Sequence, residues 1–194
     1  HVVVQPKSSL RIVIAQDVSL STKVNGVQLI ESNAFVPYFN TYDRNIELNF
    51  SVISDHSTME MITLNLYAKS FTKPQIPSII DMPIIKKREL KVAYLDSLKI
   101  FIADSISYFS ERTMKIKEFS FNVDSLINYY QHSLTRSTDL TTTFSNSDKV
   151  FNSSLYDHYK NYLLLLSDGQ NTCIMPICQL NNPTTIVLVN AGGN

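Results

Sequence analysis

Two cysteines and four histidines are the side chains best suited to chemistry in this sequence, and their spacing restricts what that chemistry can be. Cys173 and Cys178 bracket Ile174-Met175-Pro176-Ile177. In a straight strand their Cα atoms would stand ~17 Å apart at ~3.4 Å per residue, against the ~4.4–6.8 Å a disulfide requires. A bond between them needs Met175-Pro176 to turn the chain back. Two readings remain open: a local disulfide in an oxidising compartment, or two buried free thiols, since unpaired cysteine is among the most buried residue types. A structural zinc site takes four closely spaced ligands, and no second Cys or Cys/His cluster accompanies the pair. No metal site and no cofactor are expected.

His56 follows Asp55 and His158 follows Asp157, while His1 and His132 have no acidic neighbour. Adjacent residues face opposite sides of a strand and stand ~100° apart on a helix, so adjacency alone makes no proton-relay dyad. A hydrolase would have to bring His56, His132 or His158 to a distant Ser or carboxylate. Gly-x-Ser-x-Gly, His-Glu-x-x-His and Asp-rich calcium-loop patterns are absent. No catalytic residue is assigned.

Tyr156, Tyr159 and Tyr162 recur every third residue. On a helix they form one stripe, either a half-buried amphipathic face or a binding surface, because tyrosine is enriched where proteins meet. These three are the candidate binding residues.

Glycine is scarce, at 4 of 194 residues. Phosphate-cradling loops need clustered glycines for close backbone approach, so the common nucleotide-binding architectures are excluded. Charge is balanced at 17 basic and 17 acidic side chains, which disfavours general nucleic-acid binding. No apolar run approaches the ~20 residues of a membrane span.

The elements that must position these residues begin as strands. Leu10, Ile12 and Ile14 alternate with other residues, and Val18–Val24 and Val27–Glu31 flank Asn25-Gly26, a strong hairpin signal. Ile46, Leu48, Phe50 and Val52 alternate with Glu47, Asn49 and Ser51, which predicts a strand with one wet face. Ile62–Ala68 follows as its partner. Pro74, Pro77 and Pro83 make 72–88 a crossing segment and a candidate subdomain boundary. Beyond it the pattern predicts a strand at 90–94, a helix from Asp96 to Phe109, a strand at 114–123, a short helix from Asp124, a polar loop at 135–154, a helix or strand at 155–167, and strands at 172–180 and 184–189.

The sequence therefore predicts one soluble α+β domain over 1–194. Its N-terminal half is antiparallel and β-rich, a sheet or sandwich, and its C-terminal half mixes strands and helices. The function expected is non-catalytic: an assembly or protein–protein interaction module, with a protein partner or self-association. The alternatives are an extracytoplasmic ligand-binding or sensing domain and a hydrolase-type enzyme.

Overall fold

Ile12-Val13-Ile14-Ala15 is apolar on both faces of a strand, so it needs cover on both. That requirement organises the structure, a computed structural model that describes residues 7–24, 27–28, 32–54, 61–131, 137–153, 158–170, 172, 179–182 and 184–190. In chain order the elements are β1 (Leu10–Asp17), β2 (Lys23–Val24), β3 (Val27–Gln28), β4 (Ile46–Ile53), β5 (Ile62–Leu66), α1 (Ile84–Gln131), α2 (Leu140–Phe151), β6 (Lys160–Ser167) and β7 (Thr184–Asn190). Short 3-10 turns occupy Leu20–Thr22, Ser32–Ala34 and Val36–Phe39.

The chain forms two units, His1–Ala68 with Ile116–Asn194, and Lys69–Lys115. The first holds a five-stranded sheet of order β5-β4-β1-β6-β7. β1 pairs in parallel with β4 and with β6, and β6 pairs in parallel with β7. Only β5 runs antiparallel, against β4. One face packs Ile12, Ile14, Leu48, Phe50 and Leu166 against Phe119, Val123 and Ile127 of α1. The other packs Val13, Ala15, Leu163 and Leu165 against Leu140 and Phe151 of α2. Each of the Val, Leu, Ile and Phe side chains, fully buried, contributes roughly 1.5–3 kcal/mol.

An α+β composition is thus found, but the N-terminal half is not an antiparallel sheet or sandwich. β1 draws its two neighbours from distant parts of the chain, and both run parallel to it. The 46–52 strand has the expected register, with Ile46, Leu48, Phe50 and Val52 buried. Its other face is not wet: Glu47, Asn49 and Ser51 are buried too, because Arg11 and α2 cover them. The hairpin survives in short form. β2 and β3 pair Lys23 with Gln28 and Val24 with Val27, while Asn25-Gly26 lies outside the described residues. Its first strand is cut short because Thr22 Oγ1 donates to the Asp17 and Ser19 carbonyls, closing a 3-10 turn.

The predicted strand–helix–strand–helix series over 90–130 is a single 48-residue helix, α1. No Gly or Pro interrupts it. Its first backbone bond runs from Lys87 N to the Pro83 carbonyl, and Ser97, Ser105, Thr113 and Ser125 return their hydroxyl protons to carbonyls four residues back. The predicted loop at 135–154 contains α2, whose N-cap Asp139 accepts from Thr142 N at 2.9 Å. Within the second unit, Phe71 packs edge-on against Phe101 and Tyr108 at 6.3 and 5.3 Å. Lys69 sits 5.1 Å over the Phe71 ring and 4.0 Å from Asp104. Among the described residues no helix is long and apolar enough to cross a membrane.

Candidate functional site

β1 and β6 lie side by side and parallel, yet the chain leaves them in opposite directions, from β1 towards β4 and from β6 towards β7. In open α/β sheets, ligands bind in the crevice beyond the carboxyl ends of two strands that diverge in this way. The residues there are Asp17, last in β1, and Ser167, last in β6.

Asp17 is fully buried. Its Oδ1 accepts from Ser19 N at 2.9 Å. Its Oδ2 accepts from Ser167 Oγ at 2.8 Å and from Thr138 Oγ1 at 3.3 Å. One carboxylate thereby gathers the end of β1, the approach to α2 and the end of β6. Ser19 Oγ lies 3.1 Å from Ser21 Oγ. Thr138 is fixed by a reciprocal pair: its N–H donates to Thr172 Oγ1 at 2.7 Å, and Thr172 N donates to its carbonyl at 3.2 Å. Past Ser167, Gly169 takes φ +79° and donates its N–H back to Ser167 Oγ at 3.1 Å. Gln170 N donates to Asp168 Oδ1 at 3.0 Å, which holds this second, half-buried carboxylate on the loop leaving β6.

Among the described residues Asp17 has no ion-pair partner within 4.0 Å. Lys23 is the cation that feels its charge: burial lowers the Lys23 pKa and Asp17 opposes that shift. A buried carboxylate costs several kcal/mol unless charge or hydrogen bonds compensate it. Both hydroxyls donate to Asp17, and Ser167 Oγ, which accepts from Gly169 N, keeps one lone pair, so the group offers carboxylate and hydroxyl oxygens together. Such hard ligands suit Mg²⁺, Mn²⁺ or Ca²⁺. Among the described residues no three of His, Cys, Asp and Glu come together. The ligand set rests instead on Ser and Thr. His158, the one histidine among the described residues, is exposed.

The residues singled out by sequence lie elsewhere. Tyr159 is half-buried, with the Arg11 guanidinium 5.4 Å from its ring centre. Burial pushes its phenol pKa up, against a hydrogen bond with Ser9. Tyr162 belongs to β6, not to a helix, and lines an apolar cleft of about 160 Å³ with Leu10, Ile12, Phe39, Leu164 and Val187. Tyr159 thus lies on the α2 side of the sheet and Tyr162 on the α1 side, so they share no stripe. Tyr156, Cys173, Cys178, His1, His56 and His132 lie outside the described residues. Asp17, Ser19, Ser21, Thr138 and Asp168 were not among the sequence candidates. Their signal was positional: Asp17-Val18-Ser19-Leu20-Ser21 follows the apolar run Ile12–Ala15 after Gln16, and Ser167-Asp168-Gly169 directly follows Leu163–Leu166.

No protein-family model, curated protein or solved structure matches the chain.

Proposed function

We propose that this chain is a non-catalytic interaction module that engages a protein partner through a divalent cation held at the carboxyl ends of β1 and β6. The observation that carries this reading is Asp17: a fully buried carboxylate at the strand divergence, surrounded by the hydroxyls of Thr138 and Ser167 rather than by Lys or Arg. Asp17 would supply the negative charge, and the Thr138 and Ser167 hydroxyls that touch it neutral oxygens. Mg²⁺ is commonly held by one or two carboxylates and keeps several waters. One of those waters is replaceable by an acidic side chain of the partner, which links cation binding to protein recognition.

Calorimetric titration of the EDTA-stripped chain with Mg²⁺ and Mn²⁺ tests this. One cation should bind per chain. At a concentration 100 times Kd it should stabilise the fold by ~2.7 kcal/mol, a rise in Tm of about 5–10 °C for a chain of this size. Asp17→Asn and Thr138→Ala should weaken binding. Absence of heat and of any Tm shift with either metal would overturn the reading. If the cation binds but no immobilised Asp- or Glu-bearing peptide is retained in its presence and released by EDTA, the partner half of the proposal is wrong.

A further inference from the structure

The exposed apolar surface of α1 lies far from Asp17 in sequence and has its own periodicity. Between Ile84 and Phe109 the helix carries two stripes. Leu90, Tyr94, Leu98, Phe101 and Tyr108 are half-buried, and within this unit Phe71 meets Phe101 and Tyr108. The second stripe is open at Ile85, 76% exposed, Val92 53%, Leu95 52%, Ile102 46% and Ile106 62%, and it ends at Phe109, whose ring packs 5.8 Å from Phe71 and 5.3 Å from Tyr108. At ~100° per residue the two stripes are centred ~125° apart, so the packing of the first leaves the second uncovered from Ile85 to Ile106.

The open stripe is spaced as a heptad. From Ile85 it runs through Arg88, Val92, Leu95, Lys99, Ile102 and Ile106 to Phe109 in alternating steps of three and four. Its a positions are Ile85, Val92, Lys99 and Ile106, and its d positions are Arg88, Leu95, Ile102 and Phe109. Three of the four a positions are β-branched, as in two-stranded parallel coils, while Leu fills only one d position; Lys99 at a and Arg88 at d are charged, and a charged core position fixes register and number at some cost in stability. Charges flanking the seam agree. Lys91 occupies a g position and Asp96, whose Oδ1 lies 3.4 Å from Lys99 Nζ on its own helix, the e position five residues on, so two copies in parallel place Lys91 of each near the Asp96–Lys99 pair of the other. The five apolar side chains from Ile85 to Ile106 leave on the order of 500 Å² open per copy, and two copies would cover ~1,000 Å², about the least that a biological interface buries.

We propose that the chain pairs with a second copy of itself, the two α1 helices parallel and in register along Ile85–Phe109. The partner in this contact is identical, which separates it from the acidic partner of the cation site.

Sedimentation equilibrium of the full chain should show a dimer that dissociates on dilution and is insensitive to EDTA. Ile102→Glu with Ile106→Glu should give a monomer whose circular dichroism still reports a folded sheet and helix. Lys91→Glu alone and Asp96→Lys alone should each weaken the dimer about twofold to thirtyfold, the range for two exposed ion pairs, and the double exchange should restore it. A wild-type chain that stays monomeric at the highest concentration overturns the proposal, as does a dimer untouched by Ile102→Glu/Ile106→Glu. A charge exchange that fails to restore pairing overturns the parallel register.

Discussion

The polar layer between the sheet and α2 provides the sharpest test of the packing argument. Arg11 is 1% exposed. Its Nε donates to Glu47 Oε2 at 3.4 Å, and its Nη1 donates to the Val150 and Phe151 carbonyls at 3.2 and 3.3 Å, at the end of α2. Glu47 Oε1 accepts from Asn49 Nδ2 at 2.9 Å, and Asn49 Oδ1 accepts from Thr63 at 2.8 Å. At 3.4 Å and an effective dielectric of ~20, the gross attraction of the pair is ~5 kcal/mol. Desolvation of both ions consumes most of it, so the net worth of the pair is small while the cost of breaking it is large. Glu47→Leu should therefore destabilise the fold by about 3–5 kcal/mol, and Arg11→Met by a similar amount. The double variant Arg11→Met/Glu47→Leu should recover most of that loss. It should fall short of full recovery by ~1–2 kcal/mol, because the α2 carbonyls lose two donors. Urea unfolding of the four proteins measures the cycle, with a coupling energy of at least ~2 kcal/mol expected. Additive losses, or single variants costing under ~1 kcal/mol, would refute the idea that these two charges are held in place by each other.

Local periodicity revealed strands where one face is apolar and the other polar, and misled where both faces are used. The alternation of Ile46, Leu48, Phe50 and Val52 assigned β4 its correct inward face. It could not show that Glu47 and Asn49 are also covered, since their partners Arg11 and Thr63 lie 36 and 14 residues away. In α1 the half-buried residues Leu90, Tyr94, Leu98, Phe101 and Tyr108 keep a helical period throughout. A second apolar stripe on the same helix fills the intervening positions, so five-residue windows such as Leu90–Tyr94 read as strand alternation. α2 was hidden because its inward face includes Thr143, Asn146, Ser147 and Asp148, which compose like a loop. The candidate site was illegible for a topological reason. Thr138 and Ser167 reach Asp17 across 121 and 150 residues, and only a parallel sheet brings those chain ends to one edge. With β1 taken as part of an antiparallel meander, Asp17 is an ordinary residue ahead of a turn.

Two further outcomes are expected. Gly169 holds φ +79°, and a Cβ there would meet Leu188 Cδ2 at 3.5 Å, an ordinary contact. Gly169→Ala should therefore destabilise the fold by ~1–2 kcal/mol from backbone strain alone, and an unchanged urea midpoint would show that the turn after β6 does not need a left-handed residue. The second outcome concerns acid. Asp148 on α2 is 7% exposed, and it accepts from Asn181 N at 3.0 Å, Asn181 Nδ2 at 2.6 Å and Asn182 Nδ2 at 3.1 Å. Burial pushes its pKa up, and the hydrogen bonds from Asn181 and Asn182 outweigh burial, so the folded value lies below the ordinary 3.8. The unfolded chain then takes up the proton first as pH falls. The stabilisation is present in full above the unfolded value and is lost as pH drops through the lowered folded value. Asp43, held low by a hydrogen bond from Lys7, and Glu111, held low by Lys115, lose stabilisation in the same acid range. Their contribution is common to the wild type and to Asp148→Asn, so it cancels in the difference between the two. Asp148→Asn should be less stable at neutral pH, and the gap should narrow as pH falls below about 4. Parallel unfolding free energies for the two proteins from neutral pH down to acid would show that Asn181 and Asn182 do not hold a charged carboxylate at the end of α2.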